Sequence, residues 1–255
     1  MIKPISIYLL FITTALIGQV NTESMRSPYD FVDGIQNTFN LDINYENANS
    51  EVLELFGEYR LDYIRENNFH SFIILNLNQE FEKENNEPKN IISNKGFIHF
   101  RTTKNIKKNY QLEIFTQYGF NDFLLLDERY LVGSGIRFGL KSNQFSKTNF
   151  GIGFMYEKEI YDSDENNQKK LFRSTNYINN YFIFNSNFNI KNTAYFQVVP
   201  NNFNDFRILF DSKIEFYANN FLSLSISLNY RYDNDPHGDL DNSYIQLANG
   251  ISVKF

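Results

Sequence analysis

Read from its sequence, the chain is an all-β protein: a closed antiparallel transmembrane β-barrel of about 12 strands behind an N-terminal signal peptide. Three observations lead there. Leu222, Leu224, Ile226, Leu228, Tyr230 and Tyr232 fall on every second position, with Ser223, Ser225, Ser227, Asn229 and Arg231 between them. A period of two belongs to a strand with one face in an apolar medium and the other in water. Phe and Tyr number 27 and 17, aromatic content reaches 17%, and yet the mean hydropathy is -0.43. A helical membrane protein is apolar on all sides of its spans, whereas a barrel dilutes its lipid-facing residues with a polar interior and polar loops. Beyond residue 20 no stretch supplies the roughly 18 apolar residues that a spanning helix requires.

Residues 1–20 are a separate unit. Lys3 makes a short basic start, an apolar run extends from Ile5 to Ile17, and polar Gln19, Asn21 and Thr22 follow. That is the layout of a secretory signal peptide, with Gly18 the best candidate for the last residue removed. With Cys 0 in the chain, lipoprotein processing, disulfides, thiol catalysis and cysteine zinc sites are excluded. The formal net charge of -6 and the lack of a basic face argue against nucleic acid as a partner.

After a polar lead-in, residues 35–255 read as a single outer-membrane barrel domain. About twelve alternating segments follow one another, each near the roughly 9–11 residues that a tilted strand needs to cross a bilayer. They span 37–46, 51–63, 69–82, 94–103, 109–120, 127–140, 148–160, 172–184, 191–199, 206–217, 221–233 and 243–255. The long acidic connections, Glu82 to Ile91, Asp162 to Lys170 and Asp233 to Asn242, all fall on odd-numbered gaps. A barrel with both ends in the periplasm predicts that parity. The segment at 172–184 alternates poorly, and Phe123-Leu124-Leu125-Leu126 reads as a loop at the membrane surface or as the end of an extended fifth strand.

The alternation also names the inner face. Glu58 and Arg60 fall inward on the second segment with Glu54 and Asp62, Arg129 and Arg137 on the sixth with Gly133 and Gly135, and Glu157 on the seventh with Glu159, Gly151 and Gly153. Arg207, Asp211, Lys213 and Glu215 fall inward on the tenth, and Arg231 on the eleventh. Twelve tilted strands at about 4.8 Å spacing enclose a backbone diameter of about 24 Å, which side chains reduce to about 10 Å or less. Charges of both signs at this density favour internal salt bridges over a selective ion path. Paired glycines either relieve crowding and bend the wall, the favoured reading, or leave space for a solute.

Chemistry beyond transport has few carriers. A lipid hydrolase needs a base, and the three histidines are His70, His99 and His237. His99 falls inward beside Arg101, whereas an enzyme acting on lipid must present its groups at the wall. The run Asp233 to Asp241 fails as a calcium loop because His237 holds position five and Tyr244 position twelve. No cofactor is expected. At the end, Ile251, Val253 and Phe255 step by two and resemble the C-terminal signal read by the barrel insertion machinery of outer membranes.

Longer stretches resemble a known family. Arg129 to Leu140 (RYLVGSGIRFGL), Asn149 to Glu159 (NFGIGFMYEKE), and the last hairpin with Tyr230, Tyr232, Asp235-Pro236, Asp239 or Asp241 and Phe255 look like the YdiY-like, salt-induced outer-membrane proteins. The similarity covers about half the chain, mostly residues 125–255, and Gln36 stands where that family often has a glycine. The resemblance implies a bacterial outer-membrane barrel and brings no activity or binding residues with it. The expected roles are a narrow pore for small solutes or a non-conducting structural or stress-related barrel, with a lipid-modifying enzyme as the alternative. The expected partners are outer-membrane lipids and the insertion machinery; the oligomeric state is open.

Overall fold

The computed structural model describes residues 33–47, 50–65, 69–84, 90–107, 109–162, 168–219, 222–238 and 240–253. The signal peptide expected over 1–20 and the terminal Phe255 lie outside them. Among the described residues there are twelve strands: β1 (Gly34–Asn47), β2 (Ser50–Arg65), β3 (Phe69–Glu84), β4 (Asn90–Lys107), β5 (Tyr110–Asn121), β6 (Leu126–Asn143), β7 (Ser146–Tyr161), β8 (Gln168–Asn185), β9 (Phe188–Val199), β10 (Asn202–Tyr217), β11 (Leu222–Asp233) and β12 (Ser243–Val253). They form one sheet in chain order, so each strand pairs with its sequence neighbours and no connection crosses over. All pairs are antiparallel, from β1 with β2 to β11 with β12. Among the described residues no helix is long and apolar enough to cross a membrane, which says nothing of a wall made of strands.

Several strands outrun their alternation. β4 reaches Asn90 and Lys107 beyond the expected 94–103, and β8 reaches Gln168 and Asn185 beyond 172–184. Pairing continues because the backbone N–H and C=O groups hold the ladder, whatever the side chains outside the apolar band. The weak alternation of β8 has a local cause. Its inward residues Arg173, Thr175, Tyr177, Asn179 and Tyr181 are buried, but Ser174, Asn176 and Asn180 interrupt its apolar outward face. Those outward groups are satisfied sideways: Asn176 donates to the Ser174 hydroxyl at 3.0 Å, and the Thr148 hydroxyl donates to Asn180 at 2.8 Å.

The apolar run at 123–126 does not extend the fifth strand, which ends at Asn121. Asp122–Leu124 form one turn of 3-10 helix, capped by the Asn121 side chain and closed by Leu125 in the left-handed region at φ 53°. Leu126 then opens β6 and turns inward, 4% exposed.

The outward face carries the apolar side chains in rows across the sheet. Phe39 opposes Tyr59, Tyr59 opposes Leu75, Leu75 opposes Ile98, Ile98 opposes Tyr118 and Tyr118 opposes Tyr130. Phe39, Leu75, Ile98 and Tyr130 are exposed. The core lies on the other face, and it is mostly polar: Arg101, Glu113, Arg129, Glu157 and Arg207 are among its buried residues. Burial there requires a curved sheet. In a flat sheet β5 and β8, three steps apart, would stand about 14 Å from one another. Instead the Tyr177 hydroxyl of β8 donates to Glu113 of β5 at 2.6 Å.

Candidate functional site

The inner face between β4 and β11 is filled by a charged ladder and an apolar belt. Glu157 of β7, 0% exposed, is the ladder's hub. It accepts from Arg129 of β6, from Arg173 Nε of β8 at 2.8 Å and from Arg207 Nη1 of β10 at 3.3 Å. Arg173 continues to Asp205 at 2.6 Å; Arg207 continues to Glu159 at 2.9 Å and to Asp233, at the end of β11, at 2.7 Å. Alternation turns all these side chains to one side, and curvature brings β7 within reach of β10, three strands away. Each guanidinium has more than one carboxylate, so the desolvation of burial is met by several charge-assisted hydrogen bonds.

A second cluster surrounds Glu113. Arg101 Nη1 lies 3.7 Å from it and Arg137 Nη1 4.0 Å, while Arg137 also donates to the Tyr177 hydroxyl at 3.4 Å. Phe115, Leu131 and Met155 pack together beside it, as do Tyr177, Tyr195 and Leu209. What remains between these groups is a cavity of about 40 Å³ lined by His99, Gln117, Thr175 and Gln197 among others. At about 10–15 Å³ per water centre that is room for about three or four waters.

The glycines explain how the belt fits. A Cβ on Gly133 would stand 2.4 Å from the Phe115 ring, and one on Gly151 2.1 Å from the Tyr177 ring. Each ring lies over the glycine opposite it in the register. Gly135 and Gly153 pair with each other, and a Cβ on either would meet the facing strand's carbonyl at 2.6 Å. They give close approach and space for neighbouring rings.

Of the charged residues that alternation turns inward, Arg60, Asp62, Arg129, Arg137, Glu157, Glu159, Arg207, Asp211 and Arg231 are buried. Glu58, Lys213 and Glu215 are half-buried. Arg129, Glu157 and Arg207 meet in the ladder. Arg60 makes a two-point contact with Asp62, at 2.5 and 2.6 Å, and lies over the Phe72 ring; Arg231 pairs with Asp211. Lys213 pairs with Glu215 at 2.9 Å, and Glu58 accepts from Asn40 and Asn76, each at 3.3 Å. These last pairs stand apart from the ladder. Missed from the sequence were Arg173, Asp205, Glu113 and the inward Tyr177, Leu131 and Leu209. Arg173 and Tyr177 share a parity that would have found them, had the polar outward residues of β8 not blurred it. Of the proposed assembly signal, Ile251 is exposed and Val253 ends β12.

The histidines are all placed away from the outward wall. His70 Nε2 is 2.7 Å from Asp62, His99 is buried on the inner face, and the His237 ring stacks on Tyr161. Among the described residues no three His, Asp or Glu side chains converge in a way that could hold a metal ion.

An antiparallel meander with charged inner residues and an apolar outer face is the architecture of porin-like sheets. The NanC porin matches over 87% of this chain and 99% of its own, at 12% identity and a TM-score of 0.51. A KdgM porin matches over 87% of this chain and 98% of its own at 8% identity and 0.44. The translocator domain of the autotransporter NalP from Neisseria meningitidis matches over 87% of each chain at 10% and 0.48. The NanC likeness bears on the fold. The chain belongs to the family described as "Protein of unknown function, DUF481", which matches residues 30–255. No curated protein matches it.

Proposed function

We propose that the chain is a closed β-barrel of a bacterial outer membrane, exported by its signal peptide, and that it works as a narrow passage for small polar solutes. The YdiY-like resemblance and the rows of exposed apolar residues support the address. In lipid every backbone donor and acceptor must be paired inside the protein, which a strand-built wall achieves by joining β1 to β12. The observation that carries the narrowness is the filled inner face: ladder and belt leave about 40 Å³ between them. The inner residues nearer the two ends of the sheet are less packed. Asn40, Glu58, Ser225, Ser227 and Asn229 are half-buried and offer hydroxyls, amides and one carboxylate to a passing solute.

The apolar belt of Phe115, Leu131, Met155, Tyr177, Tyr195 and Leu209 favours a second reading, a non-conducting structural barrel. Planar-bilayer recording of the refolded protein separates the two. Small, reproducible conductance steps are expected, and their absence across salts and voltages would leave the structural barrel. Closure has its own measurement: the folded protein should migrate faster on a gel before heating than after it, and equal mobility would rule the barrel out.

A further inference from the structure

At one end of the sheet the ladder is roofed by a loop. Beyond Asp233 the chain turns back instead of rising away: Asn234 donates from its backbone to Phe206 at 3.0 Å and from its side chain to Asn204 at 2.6 Å. Asp235 pairs with Lys169, at the start of β8, at 2.9 Å. His237 lies flat on Tyr161, the last residue of β7, with ring centroids 3.9 Å apart and planes within 11°. Four strand steps separate β11 from β7, about 19 Å in a flat sheet. Residues 234–238 therefore span the ends of β8, β9 and β10.

Burial beneath this segment fits a cover. Tyr161 ends its strand, where an open mouth would leave it wet, yet it is 6% exposed. Its hydroxyl donates to Glu159 at 2.8 Å, and Glu159 is 2% exposed. The stack on His237 thus sits one hydrogen bond above the ladder. Of the two far contacts the ring stack is the firmer, because the Lys169–Asp235 pair is open to water and weakened by salt. Gly238 supplies the left-handed turn, φ 59°, that sends the chain back toward β12.

We propose that residues 234–238 are a strap closing the mouth over the β7–β10 side of the interior, that the Tyr161–His237 stack is its latch, and that release of the latch admits small water-borne solutes to the cavity below the ladder. The strap rests on the barrel reading above, in which this end of the sheet opens to water.

The chain has Cys 0, so an introduced cysteine is the single thiol. Gln197→Cys, on the inner face of β9 at the cavity, is reacted with a small charged maleimide in the detergent-folded full chain. Adding His237→Ala should speed the labelling about tenfold, and His237→Phe, which keeps a ring for the stack, should hold it slow. Separately, the Tyr161→Cys/His237→Cys pair should be bridged within one molecule by a short bifunctional thiol reagent, whose reach covers the span between two residues whose rings stack. Equal labelling rates with and without the latch, or no cross-link, would overturn the strap. Asn201→Cys, in the turn at the same end, reports orientation on intact cells. Failure of that cysteine to label from outside counts against the membrane orientation, and leaves the detergent result to decide the strap.

Discussion

The Tyr177 hydroxyl and the Glu113 carboxylate, 2.6 Å apart, join β8 to β5 across the inner face. Tyr177 reaches that far because Gly151 lets its ring lie against the wall. One substitution can therefore remove a tie between strands that are not neighbours. Tyr177→Phe keeps the ring and deletes the donor, leaving Glu113 one partner short. The expected cost is about 1–3 kcal/mol in a urea titration of the folded protein, and an unchanged midpoint would show the bond to contribute nothing.

The hub of the ladder should be more costly. Glu157→Gln leaves Arg129, Arg173 and Arg207 buried around a neutral amide. Breaking a buried ion pair by removing one partner costs about 3–5 kcal/mol. Lys213→Gln, in a partly exposed pair along one strand, should shift the same titration by no more than about 1 kcal/mol. A reversed ranking would mean that the ladder is not what holds β6, β7, β8 and β10 together.

Glycines should divide by what faces them. Gly135→Ala puts a methyl group against the Ile152 carbonyl and should cost about 1–3 kcal/mol as β6 and β7 separate. Gly57→Ala meets nothing within 4 Å and should be neutral, or stabilising by about 0.5 kcal/mol. Unfolding midpoints of the two variants check this pair directly.

If the proposed barrel stands in a bilayer, a depth rule follows. Leu75→Arg, at an exposed mid-strand position of β3, should cost about 2–4 kcal/mol for folding into a bilayer, against about 0–1 for Ile91→Arg near the end of β4. Equal costs at the two depths would argue against a surrounding hydrocarbon layer.

Widening the belt tests permeation. Leu131→Ser with Met155→Ser removes both side chains that pack with Phe115 in its apolar cluster. Conductance steps in a planar bilayer should grow relative to the unaltered protein, and steps of unchanged size would place the passage elsewhere than beside the belt.

Much of this was legible in the sequence, for a local reason. Strand side chains alternate sides, so a row such as Leu224, Ser225, Ile226 and Ser227 declares its faces without reference to any other part of the chain. Inward placement of Arg129, Glu157 and Arg207 follows from the same stereochemistry. The inward Leu131 and Leu209 were hidden because an apolar residue on the polar face looks like a fault in the pattern. At Phe123 to Leu126 hydropathy alone leaves the alternatives open, since it cannot distinguish a strand end from one turn of helix capped by Asn121.

The sequence by itself determined which residues share a face, where the chain turns, and that the outer face is apolar, because all three depend on near neighbours along the chain. Only the tertiary structure decided that Glu157 serves three arginines, that Tyr177 meets Glu113, and that His237 rests on Tyr161. Those contacts join strands one to four positions apart in the sheet. They depend on its curvature and on the accumulated register of every intervening pair, and no local pattern records either.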